Sequence, residues 1–272
     1  MIDDPIVIVD GARTPMGGLA GCLSPVSATE LGTTAIKATL ERSKLSPDAV
    51  DEVIMGCVLA AGLKQGPARQ AALNAGLPIE TGCVTINKLC GSGMQAAIYA
   101  HDQIAAGSCD IMIAGGMESM SNAPHLLLHA RSGLGTGHSK AYDHMFLDGL
   151  EDAYSGRMMG SFAQDTADSH GISREDMDAF AIESLSRAKN AIDQGLLDAE
   201  TAAVTVKTRK GESIVKDDEQ PHKAQLDKIP KLRAAFVKDG TITAANSSSI
   251  SDGASALVLM SEGAATESGL KP

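Results

Sequence analysis

Short apolar runs alternate with amphipathic stretches through residues 1–118, and that alternation confines the chain to a few layered architectures. Pro5–Asp10, Val53–Val58, Val84–Leu89 and Ile111–Ala114 read as buried strands, rich in β-branched and apolar residues and bounded by turn formers. Between them lie helix signals. Ser27-Ala28-Thr29-Glu30 is a capping box that opens a helix running to about Ser43. Pro67–Asn74 is a second helix, with Gly76 and Pro78 as stop signals, and Met94–Ala106 is a third, ended by Gly107. Strands alternating with helices predict an α/β domain with a largely parallel sheet.

The pattern then changes. Residues 119–156 are glycine- and histidine-bearing with little periodicity, which marks a functional or interface excursion. Ser173 caps a helix predicted over Arg174–Gln194, and the charged, proline-punctuated stretch from Lys207 to Lys231 suggests an exposed hairpin and loops. Ala254–Met260 reads as one more buried strand. The expected organisation is an α/β domain built from residues 1–118 plus 243–272, interrupted by an inserted, more polar domain at 119–242.

Composition narrows the function. No apolar run among the 272 residues approaches the ~18 needed to span a membrane, so no membrane partner is expected. MIDDPIVIVD lacks the basic and long apolar regions of a secretory signal. Five cysteines without a Cys-x-x-Cys pair argue against a disulfide framework and a zinc finger. A net charge of −11 argues against nucleic acid while leaving room for a local basic patch. The expectation is a soluble, cytoplasmic enzyme. His125, His129, His138 and His144 have no convergent spacing and read as loop histidines, so no metal site is expected. Asp217-Asp218-Glu219 reads as a surface acidic run.

Leu89-Cys90-Gly91-Ser92-Gly93-Met94 lies where a strand gives way to a helix. A cysteine there sits at the positive end of the helix dipole, beside free N–H groups, and both favour the thiolate. Flanking glycines permit a tight turn, and the backbone N–H groups could serve an oxyanion. Position alone also fits a small buried residue at a tight junction. Cys22, Cys57, Cys83 and Cys109 read as structural.

Asn87-Lys88-Leu89-Cys90-Gly91-Ser92-Gly93-Met94, followed by Ala114-Gly115-Gly116-Met117-Glu118-Ser119-Met120-Ser121, resembles the thiolase family. Gly11–Pro15, Gly66–Gln70, Ala123-Pro124-His125, Asp148-Gly149-Leu150 and Asn246–Gly253 agree in order, so the resemblance covers nearly the whole chain. Within the family it is nearest to the acetoacetyl-CoA thiolases.

The resemblance implies a thiolase-like layered α/β/α N-terminal domain and an inserted loop domain for CoA binding and tetramerisation, with the family's C-terminal half missing. It implies that Cys90 forms an acyl-enzyme in ping-pong Claisen chemistry, with coenzyme A thioesters as substrates and no covalently bound cofactor. The family's Gly-His-Pro histidine and second cysteine do not occur in this sequence. The expected partners are therefore a C-terminal thiolase half or full thiolase protomers, with a homo-oligomer, dimer or tetramer, as the assembled form. Implied CoA contacts are Met159, Lys223, Lys228, Ser248 and Ile250. Leu185 stands where one family type places a potassium-liganding tyrosine. Two alternatives remain at this point: a non-catalytic CoA-binding or regulatory partner of intact thiolase, and a 3-ketoacyl synthase-type condensing enzyme.

Overall fold

Ser27 accepts the Glu30 amide at 3.3 Å and donates its own amide to the Glu30 carboxylate at 2.8 Å. The helix so opened, α1, spans Ala28–Ser43. Such a cap contributes about 1 kcal/mol and fixes where the chain turns helical. In this computed structural model, which describes residues 4–209 and 211–272, the other elements of the first part follow in order. They are β1 (Ile6–Arg13), β2 (Gly17–Gly18), β3 (Glu52–Gly56), α2 (Pro67–Asn74), β4 (Gly82–Ile86), α3 (Ser92–Ala105) and β5 (Ile111–Ser119). β1 runs three residues past Asp10, to Arg13. β4 stops three residues short of Leu89, and α3 starts two residues before Met94.

The excursion holds two short paired strands, β6 (His125–Leu126) and β7 (Tyr142–Asp143), then α4 (Met159–His170) and α5 (Arg174–Asp193). A hairpin follows, β8 (Val204–Thr208) with β9 (Gly211–Val215), then α6 (Glu219–Lys223) and a tight turn at Leu226–Lys231. The chain returns as β10 (Ser251–Ser261) and α7 (Glu262–Glu267).

The main sheet has the order β1-β10-β5-β3-β4, with β2 paired to β10. β3 is parallel to β4 and β5, but β10 is antiparallel to both β1 and β5. The sheet is therefore mixed rather than largely parallel. The excursion leaves from Ser119 and comes back at Asp252, which pairs with it. A chain that re-enters the sheet beside its point of exit must run in the opposite direction.

Successive strand residues face opposite layers, as the two-residue period requires. Val53, Met55, Ile113, Val258 and Met260 pack under α1 and α2 with Ile36, Leu40, Ala71 and Ala72. Ile54, Met112, Ala114 and Leu259 pack under α3 with Ala96, Ala100 and Ile104. The result is an α/β/α sandwich. Two close approaches set the end of the sheet where α3 begins. A Cβ on Gly56 would lie 2.6 Å from Ser92, and one on Gly115 would collide with the Ser255 carbonyl.

Candidate active site

The approach of Gly56 to Ser92 seats the turn 87–92 directly on the strand ends. Leu89 adopts a left-handed conformation, φ +49°, which costs a residue with a Cβ roughly 1–2 kcal/mol. Two side chains hold it there. Asn87 Oδ1 accepts the Leu89 amide at 2.8 Å, and Ser92 Oγ accepts the Lys88 amide at 2.8 Å while donating to the Leu89 carbonyl at 2.6 Å. Cys90 follows, exposed, one residue before Gly91, which precedes the first turn of α3. That turn supplies amides with no partner inside the helix, and its dipole favours negative charge beside it.

Cys90 opens into a cavity of about 580 Å³. Its walls come from the ends of β1, β3, β5 and β10, with Leu59 from a loop and Gly149 and Leu150 from the helical turn Phe146–Leu150. The charged residues in the lining are Arg13, Glu118 and Asp252, and the lining includes no histidine and no second cysteine. Glu118 accepts the amides of Val58 at 2.8 Å and Leu59 at 3.0 Å, and so pins the loop that walls the cavity. Burial pushes its carboxyl above the usual range, against the pull of those two amides. Asp252 is fully buried and accepts the Ser121 hydroxyl at 2.6 Å and amide at 3.0 Å, tying β10 to the start of the excursion.

A second cavity, of about 1160 Å³, lies between α5, α6, the 226–231 turn and residues 244–249. Lys223, Lys228 and Ser248 line it. Lys223 is ion-paired with Glu219, which raises its pKa. Arg174 and Asp178 frame this cavity, and the sequence alone did not single them out. Arg174 donates to Asp178 at 2.6 Å and to the carbonyls of Ile229 and Leu232, while Asp178 accepts the Asn246 side-chain amide at 3.0 Å. One ion pair thus fixes both walls. Ser249 belongs to the larger cavity and Ser251 to the smaller, and their hydroxyls are 2.8 Å apart. The cavities therefore adjoin at residues 249–251.

Ile250 lies at that junction but is in neither lining, and nor is Met159. Gly160 packs against Phe236, and Gln164 accepts the Thr241 amide. These contacts seat α4 so that Met159 is 44% exposed.

Two other groups differ from their sequence reading. His144 is buried: its Nδ1 lies 2.7 Å from Asp148 Oδ2, and its Nε2 accepts the Ala61 amide at 3.4 Å. Asp218 and Glu219 are likewise no surface run, for both are bonded to residues far away in sequence. Among the described residues no cluster of histidine, cysteine or carboxylate side chains has metal-binding geometry.

Cys90 is thus a free cysteine on a strand-to-helix turn, facing a cavity at the strand ends of a layered α/β domain. Residues 6–263 match the family profile described as the N-terminal domain of thiolase, and the chain belongs to the thiolase family. It is 46% identical to the acetyl-CoA acetyltransferase of Schizosaccharomyces pombe, over 100% of this chain and 69% of that protein. Against the acetyl-CoA acetyltransferase of Cupriavidus necator it is 47% identical, over 98% of this chain and 68% of the relative. The solved structure of acetyl-CoA acetyltransferase from Syntrophomonas wolfei superposes with a TM-score of 0.95 at 40% identity, covering 100% of this chain and 68% of that one.

Proposed function

We propose that this chain supplies the acylated nucleophile of a thiolase-type acetyl-CoA acetyltransferase. The Cys90 thiolate would attack the thioester carbonyl carbon of an acyl-CoA. The new C–S bond forms as the old one breaks, and the CoA thiolate leaves with the electron pair. Amides at the start of α3 would hold the carbonyl oxygen as it gains charge. In the second half-reaction the α-carbanion of another acetyl-CoA attacks the acyl-cysteine carbonyl, a carbon–carbon bond forms, and Cys90 leaves as thiolate. The reverse order is thiolysis of acetoacetyl-CoA or a longer 3-ketoacyl-CoA. The cavity lining holds no histidine and no second cysteine, and this reading assigns removal of the α-proton to a base supplied by a partner chain.

The observation that carries the reading is the exposed Cys90 thiol on a cavity adjoining a second, larger one with two lysines. In the division of labour we propose, residues 1–118 with 243–272 present the nucleophile and residues 119–242 hold most of the CoA. Lys223 and Lys228 would meet phosphate charge, and Ser248 and Ile250 would contact the pantetheine arm. The exposed face of α3 supports a covering partner. Met94, Ile98 and Tyr99 are 74%, 46% and 45% exposed on it, the kind of apolar stripe that a second α/β layer or another protomer buries. Because Cys90 must stay a free thiol, the reading places the protein in a reducing compartment such as the cytoplasm.

Intact-protein mass after incubation with acetyl-CoA tests this, with Cys90→Ala as the control. A gain of one acetyl group that disappears in the variant supports the reading, and no gain in either overturns it for this chain alone. The lack of a histidine and of a second cysteine in the lining of the Cys90 cavity favours one second reading, a CoA-binding subunit that does no chemistry. CoA binding without Cys90 acylation, even beside an intact thiolase, would select it.

A further inference from the structure

We propose that Asp218 is a positioning residue that sets the spacing between the Cys90 cavity and the larger cavity. The inference rests on the acyl-transfer reading above. Arg13, at the end of β1, lines the Cys90 cavity. Its guanidinium donates to both oxygens of Asp218, at 2.7 and 3.0 Å, and to Glu200 at 2.7 Å. Asp218 also accepts the Met16 amide at 2.8 Å, and Met16 lines the same cavity.

Glu219 repeats the device one residue on. Its amide donates to the Met16 carbonyl at 2.9 Å, and its carboxylate accepts the amides of Gly18 at 2.8 Å and Cys22 at 3.0 Å. Gly18 belongs to β2, which pairs with β10 at Ser251. Glu219 also begins α6, whose Gln220 and Lys223 wall the larger cavity. Residues 218–219 are thus bonded on one side to the floor of the nucleophile cavity and run directly into the wall of the other. Bidentate pairing fixes orientation as well as distance. The Asp218 and Arg13 side chains are only 15% and 23% exposed, so solvent competes weakly.

A thioester that reaches from Cys90 into the larger cavity must match that spacing. A short thioester that occupies only the Cys90 cavity need not. The two classes of donor therefore separate a positioning role from a purely structural one.

The experiment measures initial rates of Cys90 acetylation by intact mass, with acetyl-CoA and with the short donor S-acetyl-N-acetylcysteamine, for wild type, Asp218→Asn and Glu200→Gln. Asp218→Asn is expected to lower the efficiency with acetyl-CoA about tenfold, through a higher half-saturating concentration, since small misplacements of a bound substrate carry costs of that order or more. Its rate with the short donor stays within about twofold of wild type on the same grounds. Glu200→Gln, which neutralises only the exposed partner of Arg13, leaves both rates unchanged. Equal loss with both donors, with a lowered melting temperature, would make Asp218 a folding residue only and overturn the proposal, as would no loss with either. A wild-type chain that takes neither donor overturns the acyl-transfer reading for this chain alone, and this inference with it.

Discussion

Ser92 Oγ sits 2.6 Å from the Leu89 carbonyl and 2.8 Å from the Lys88 amide, so one hydroxyl locks the turn on which Cys90 is carried. Ser92→Ala leaves that amide and carbonyl without this partner. We expect a loss of about 1–3 kcal/mol in stability, read by urea unfolding, because Ser92 is buried. Acetylation of Cys90 should slow at temperatures where the variant is still folded. Unchanged stability would mean that water replaces the hydroxyl.

Leu89, at φ +49°, makes the opposite prediction. Glycine accepts that conformation freely, so Leu89→Gly should be neutral or gain stability. Leu89→Val, β-branched, should lose about 1–2 kcal/mol. Equal melting temperatures for the two variants would show that backbone strain at this position is not felt.

The cysteines should separate by reactivity. Burial first, and then Glu219, push the Cys22 thiol up to about 11, and burial with Glu118 pushes Cys57 up to about 12. Burial is also the main cause of the raised pKa of Cys83 and Cys109. Cys90 is exposed. Iodoacetamide at neutral pH should therefore modify Cys90 first, with Cys22 and Cys57 protected until the chain unfolds. Peptide mapping that finds Cys22 or Cys57 labelled before Cys90 would contradict this.

Glu219 gives the chain an acid limit. Burial raises its pKa, but the Lys223 ammonium and the Gly18 and Cys22 amides outweigh that and hold it at about 2. Its folded value lies below the ordinary 4.5, so its contribution is complete above that pH and is lost as pH falls toward 2. Solvent around Lys223 screens part of the effect, leaving on the order of 1–3 kcal/mol. Glu219→Gln should flatten the stability profile over that window, and an unaltered acid limb would refute the assignment.

Where the cause of an element is local, the sequence carried it. Ser27 and Glu30 announce α1 because both halves of the cap lie within four residues, and Pro67 marks the start of α2 in the same way. The turn that carries Cys90 was legible because it is built from the residues on either side. The direction of β10 was not, since a two-residue period is the same read either way. Helix α4 escaped because Met158 makes no side-chain cap and little else announces its start. Asp218 looked like one of three adjacent surface acids because its partner Arg13 lies 205 positions away. Asp178 and Arg174 together join α5 to Asn246 and to residues 229–232, stretches that only the fold brings together.

Strand β10 is nearly the last element of the chain, yet it lies between β1 and β5. On the ribosome, β1 can find its place in the sheet only after residue 261 has been made, although it is the first strand to appear. Until then the buried flanks of β1 and β5 are unpaired edges, open to pairing with other chains. The insertion that carries the larger cavity therefore also sets how long those edges stay unpaired during synthesis.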